Sequence, residues 1–171
     1  PIISTEGRLL LRQARHPLLQ QTLRSQGKAI VPLDMELNNE RRILVISGPN
    51  AGGKSVCLKS TGLLQYMVQC GFLVPVLENS EFPLFKSLMI DIGDQQSLEN
   101  DLSTYSSHLV NMRAMLDEAS EDTLVLIDEF GSGTEPTIGG AISESILERF
   151  VERKAYGVIT THYANIKYFA S

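Results

Sequence analysis

Residues 41 to 55 read R-R-I-L-V-I-S-G-P-N-A-G-G-K-S, and this stretch decides the fold. Arg41 to Ser47 predicts a buried strand. Lys54 to Gln69 predicts a helix with Leu58, Leu63, Leu64, Met67 and Val68 on its apolar side, capped at its end by Gly71. Between them, Gly48-Pro49-Asn50-Ala51-Gly52-Gly53-Lys54-Ser55 fits G-x-x-x-x-G-K-[ST]. That pattern carries meaning only where a strand precedes it and a helix follows, and both are expected here.

The residue types explain the chemistry. Glycines let consecutive backbone N–H groups converge on phosphate oxygens, and the helix N-terminus adds roughly half a positive charge. Lys54 is expected to reach the terminal phosphates, Ser55 to ligate Mg²⁺ through its hydroxyl, and Asn50 to donate toward the γ-phosphate. Val56 continues the loop into the helix and completes the expected binding set. The cofactors implied are ATP or ADP with Mg²⁺.

Working outward, Leu124-Val125-Leu126-Ile127-Asp128-Glu129 reads as a buried strand ending in two carboxylates. Open α/β sheets bind ligands at the carboxyl ends of their strands, so these acids belong beside the phosphates. Asp128 is assigned to Mg²⁺, and Glu129 to orienting and deprotonating the attacking water. Thr160-Thr161-His162-Tyr163 follows a third strand, so His162 emerges at the same edge as a sensor of the γ-phosphate. Gly131-Ser132-Gly133-Thr134-Glu135-Pro136 is a polar loop entering a helix, placed to touch a second subunit. His16, before Pro17, is read as structural, and His108 has the weaker claim to function.

The order of elements gives the fold class. Strands at 41–47, 87–90, 123–127 and 157–161 alternate with helices at 54–69, 104–119 and 138–154. Their continuous apolar runs call for a mostly parallel sheet with helices on both faces. Residues 1 to 40 differ: Pro17, Pro32 and an extended piece from Ala29 to Leu37 predict an antiparallel edge or subdomain. At 171 residues, a single domain covering 1–171 is expected, divided into an antiparallel part at 1–40 and a core at 41–171. Pro1 in place of Met suggests a piece cut from something longer.

Composition excludes several classes. With 43% hydrophobic and 20% charged residues the chain is an ordinary globular one. Apolar runs are far shorter than the roughly 20 residues a bilayer requires, so no membrane partner is expected. The net charge of −5 supplies no positive field for nucleic acid, so any DNA must be held by other segments. Cys57 and Cys70 match no zinc spacing and suggest a reducing, cytoplasmic setting.

In this order, G-P-N-A-G-G-K-S, D-L-S-T-Y-S-S-H (101–108), L-I-D-E-F-G-S-G-T-E-P and T-T-H-Y resemble the ATPase domain of the MutS family, among the ABC-type ATPases. R-H-P-L-L and V-P-L-D-M-E-L ahead of the loop agree. S-T-Y-S-S-H, E-P after G-S-G-T, and T-H-Y-A-N-I-K resemble the second bacterial branch, which suppresses recombination and bears a nuclease, more than the mismatch-sensing first branch. A transporter subunit would carry L-S-G-G-Q, which the chain lacks.

The resemblance implies a P-loop NTPase of ABC type that hydrolyses ATP with Mg²⁺. It implies a homodimeric ATP sandwich, in which Ser103 and the Gly131–Glu135 loop meet the partner's nucleotide. Ser103, expected to open the helix from Thr104, could offer both a hydroxyl and a helix N-terminus to phosphate. Adenine is expected against Ile30 and Val31. The implied function is to couple nucleotide-driven dimerisation to the handling of branched or mismatched DNA, in recombination suppression or mismatch repair. The alternative is a nucleotide-gated binding module acting on collided ribosomes. By itself this piece is expected to bind nucleotide weakly, turn over slowly and be largely monomeric.

Overall fold

The computed structural model describes residues 1–48, 52–92, 101–131, 135–163 and 166, the side chains of 101–105 and 136 excepted. In chain order the elements are β1 (Ile2–Ile3), β2 (Leu9–Ala14), α1 (Pro17–Ser25), β3 (Leu33–Leu37), β4 (Ile43–Ser47), α2 (Lys54–Gln69), β5 (Glu81–Phe82), β6 (Ser87–Asp91), α3 (Asp101–Glu118), β7 (Thr123–Ile127), α4 (Pro136–Glu152) and β8 (Tyr156–Thr161). They divide into two compact units. One comprises Pro1–Arg41 with Lys59–Leu84, the other Arg42–Leu58 with Phe85–Ser171.

The first unit holds a sheet in the order β1-β5-β2-β3. β2 runs antiparallel to β3 and to β5, as the sequence led us to expect for this end of the chain, while β1 adds a parallel pair with β5. The unit is not confined to 1–40, because 59–84 joins it and supplies β5. Leu9, Leu11, Leu37, Leu64 and Phe82 are among its buried apolar residues. Between Leu11 and Ala14 the β2–β3 register shifts, and Gln13 there has φ +50. Its backbone N–H and side-chain amide both donate to the Asp34 carboxylate at 2.9 Å, holding the irregular residue in place.

Helix α1 was not expected. Pro17 is its first residue, where a missing N–H costs nothing and a fixed φ suits the first turn. His16 caps it, its Nδ1 accepting from Leu19 N–H at 3.3 Å, so the structural reading of His16 holds.

The second unit is built on an all-parallel sheet in the order β4-β8-β7-β6. Every residue of β7 and β8 is buried. Val125, Ile127 and Ile159 pack with Met112 and Met115 of α3 and Leu147 and Phe150 of α4. The alternate residues Leu124, Leu126 and Val158 are at most 1% exposed, so the opposite face of these strands is covered as well. β4, at the edge, is only partly buried. Helix α3 begins at Asp101, not Thr104, which puts Ser103 inside its first turn instead of at a capping position. α4 begins at Pro136, with Glu135 as its cap.

Candidate functional site

Parallel register brings all four carboxyl strand ends to one edge of the sheet. Ser47 pairs with Thr161, Ile159 with Ile127, and Ile127 with Asp91. The residues immediately after these strands, Gly48, His162, Asp128 and Ile92, therefore emerge on the same side. Gly48 and Gly53, at φ +147 and +79, take conformations that side-chain-bearing residues rarely adopt. Pro49, Asn50 and Ala51 lie outside the described residues. Gly52 and Gly53 lead into α2, and Val56 in its first turn is 42% exposed.

Lys54 is only 5% exposed, and its Nζ donates to the Gly48 carbonyl at 2.5 Å. An ammonium taken out of water needs acceptors, and here the loop's own backbone supplies one. Beside it, Ser55 Oγ donates to Asp128 Oδ1 at 3.1 Å. Asp128 is 7% exposed. A hydroxyl and a carboxylate oxygen brought this close form a hard-oxygen pair of the kind Mg²⁺ takes, so these two side chains fit the expected metal. Among the described residues no cluster of three or more His, Cys, Asp or Glu forms another metal candidate.

The acids are held from β8. Thr160 Oγ1 donates to Asp128 Oδ1 and accepts from the Glu129 N–H at 2.8 Å. Glu129 has φ +54, a left-handed conformation that costs a residue with a side chain about 1–3 kcal/mol unless its surroundings impose it. Phe130 N–H donates to the Thr160 carbonyl at 2.7 Å, and Thr161 Oγ1 to the Phe130 carbonyl at 3.1 Å. Tyr163 hydroxyl then donates to the Gly131 carbonyl at 2.9 Å. His162 stands exposed between these anchored neighbours.

A second constellation escaped the sequence reading. His108 Nδ1 lies 2.6 Å from Asp91 Oδ2, and Asn111 donates to Asp91 Oδ1 at 3.2 Å. The Asp91 carbonyl in turn accepts from Asp128 N–H at 2.9 Å, which ties α3 to the acid pair. Asp91, His108, Glu129 and Ser143 share the wall of an open pocket of about 340 Å³ with apolar residues of α3 and α4. Asp128 lines it as well, so the pocket adjoins the acid pair, while Lys54 and Ser55 are not among its lining residues. The 17-residue separation of His108 from Asp91 left no local signal.

The other expected residues belong to other parts of the chain. Ile30, half-buried, and Val31, 87% exposed, precede β3 in the first unit. The side chain of Ser103 and residues 132–134 lie outside the described residues. Glu135 is bound to its own helix: its carboxylate accepts from Thr137 N–H at 3.1 Å and Ile138 N–H at 3.0 Å, which holds it below the usual carboxylate range. Burial pushes the Cys57 thiol, two residues past Ser55, up to about 11, so it stays protonated near neutral pH.

Residues 44–171 match the family model described as MutS domain V. The chain belongs to that family. It is therefore a MutS-family ATPase domain, and its similarities run to the second branch. It is 47% identical over 170 residues to Endonuclease MutS2 of Shouchella clausii, covering 99% of this chain and 21% of that protein. It is 47% identical over 164 residues to Endonuclease MutS2 of Thermomicrobium roseum, covering 96% of this chain and 20% of that relative. To Endonuclease MutS2 of Lachnospira eligens it is 43% identical over 170 residues, covering 99% and 21%. The MutS-family chain thus spans about a fifth of the length of these relatives. No helix among the described residues is long and apolar enough to cross a membrane.

Proposed function

We propose that this chain binds ATP through the loop at 48–56 and hydrolyses it with Mg²⁺, the two compact units acting as one ATPase domain over 1–171. The observation that carries the reading is the convergence of a buried cation and a buried anion at one sheet edge: Lys54 on the Gly48 carbonyl, and Asp128 on Ser55. Burying such charges is unfavourable unless they are paired, so their meeting here favours a charged ligand over a purely structural role.

In this reading the chain's residues divide the work. Loop amides and Lys54 bind and neutralise the phosphates. Ser55 and Asp128 hold Mg²⁺, which when bound offsets charge developing on the β- and γ-phosphates. Glu129 orients the attacking water and accepts its proton on a carboxylate oxygen. His162 senses the γ-phosphate from the end of β8. Ser103 and the 131–135 loop meet the nucleotide of a second copy, and Ile30 lies against adenine.

The net charge of −5 supports assigning DNA contact to other segments of a longer protein, with nucleotide-driven pairing coupled to branched or mismatched DNA. The endonuclease in the relatives' name is likewise proposed for such segments.

The test uses ATP uptake and turnover by this chain. Lys54→Ala is expected to abolish uptake at millimolar ATP, and Glu129→Gln to preserve uptake while cutting turnover by roughly 10²-fold. A folded, Mg²⁺-replete sample that takes up no adenine nucleotide would overturn the reading, and unchanged turnover would remove Glu129 from it.

A further inference from the structure

We infer that Thr160 is a positioning residue for hydrolysis, setting both members of the acid pair from the neighbouring strand; the inference rests on the ATPase reading above. One side chain makes two of the decisive bonds. Its hydroxyl donates to the Asp128 carboxylate and accepts from the Glu129 N–H at 2.8 Å, while its carbonyl takes the Phe130 N–H at 2.7 Å. A hydroxyl can donate to one partner and accept from another through a single atom, so neither valine nor alanine could substitute for it.

The need for such a clamp is local. Glu129 sits at φ +54, a conformation its side chain disfavours, and the Thr160 hydroxyl is the acceptor that the Glu129 amide finds there. Without it the backbone is free to relax toward negative φ, which would swing the carboxylate away from the edge where Asp128 and Ser55 meet. Thr160 is fully buried, and losing its hydroxyl would take from the Glu129 amide the acceptor it has there. The clamp continues through Tyr163, whose hydroxyl fixes the Gly131 carbonyl two residues beyond Glu129. Thr160 itself touches no reacting atom. It acts by fixing where Glu129 can reach, as small displacements of a catalytic group cost large factors in rate.

The experiment compares Thr160→Val, Thr160→Ser and Tyr163→Phe in this chain, with Glu129→Gln as the reference. Thr160→Val is expected to lower kcat by roughly 10-fold or more with nucleotide affinity within about threefold of wild type, and Thr160→Ser to restore most of the rate. Independently of activity, amide exchange in the 128–131 segment should quicken in the valine variant and return toward wild type in serine. Tyr163→Phe, which leaves the buried threonine intact, should speed exchange at 131 and lower kcat by a smaller factor. It decides the matter should the valine variant not fold. Glu129→Gln losing turnover while Thr160→Val and Tyr163→Phe keep wild-type kcat and exchange would overturn the positioning role and leave the ATPase reading standing. Glu129→Gln keeping full turnover would sink the ATPase reading first.

Discussion

The two compact units use polar side chains in opposite ways. In the mixed sheet of the first, Arg8 bridges Glu36 at 3.0 Å and Glu81 at 3.1 Å across neighbouring strands, on side chains that water still reaches. Solvent screens such pairs, so they contribute little to stability. In the parallel sheet of the second, Lys54 and Asp128 are nearly buried and collected at the strand ends, where a charge out of water requires partners to offset its burial. The Arg8 pairs of the first unit lie at a surface, whereas Lys54 and Asp128 of the second sit at the strand ends that the proposed function gives to a nucleotide. The cores differ in parallel: α3 and α4 close on β7 and β8, while the first unit packs around the short leucine run of β2.

The sharpest way to break that contrast is to hollow each core. Phe150→Ala, at a fully buried site between α4 and the parallel sheet, should destabilise by about 3–5 kcal/mol, and Leu11→Ala in β2 by about 2–5 kcal/mol. Urea unfolding followed by far-ultraviolet circular dichroism would measure both. We expect the larger loss at Phe150; the reverse order would show that the surroundings of Leu11 collapse less readily around the cavity than those of Phe150.

Two glycines sharpen the comparison at smaller scale. Gly27 and Gly131 both have left-handed φ, +69 and +85. An added Cβ at Gly27 would meet nothing within 4 Å, whereas at Gly131 it would lie 2.3 Å from Ser143 Oγ and 2.7 Å from Tyr163 Cε2. Gly27→Ala should therefore cost only the conformational penalty, about 1–2 kcal/mol. Gly131→Ala should add about 1–3 kcal/mol of overpacking and disturb the Tyr163 bond as well. Equal losses in thermal or urea unfolding would mean that the clamp around Gly131 yields easily.

The same contrast explains what was legible in the sequence. β7 is an almost continuous apolar run, and β8 is apolar at its centre, because both faces are covered, and α3 and α4 are long enough to show their period. The strand–loop–helix context of Lys54 and the acid pair after Ile127 could thus be placed in advance. The first unit resisted because β1 and β5 are two residues each, α1 spans only nine residues, and 59–84 joins from a distant part of the chain. Within the site, the roles of single side chains were legible where a motif carried them. Contacts between elements were not: Thr160 with Asp128, Tyr163 with Gly131 and His108 with Asp91 each depend on tertiary packing that no local pattern encodes.

The smallest expected effect separates two carboxylates that are both held below their ordinary range. Glu36 owes this first to the Arg8 hydrogen bond, and Glu135 to the Thr137 and Ile138 amides at the start of α4. A carboxyl that ionises more readily when folded stabilises the fold above its unfolded value of 4.5, and that contribution disappears as pH falls through the lower folded value. Glu36→Gln and Glu135→Gln should each be less stable than wild type at pH 7, and each should converge with it only as pH falls from 4.5 through the lower folded value, below which the wild-type carboxyl is neutral as well. Salt tells the two apart. An exposed ion pair is screened at about 1 M salt, where the Debye length is near 3 Å, while amide hydrogen bonds to a capping oxygen are short-ranged. The Glu36→Gln difference should therefore shrink in high salt and the Glu135→Gln difference largely persist. Loss of both in salt would mean that Glu135 acts through the charge at the helix start, with its two hydrogen bonds contributing little.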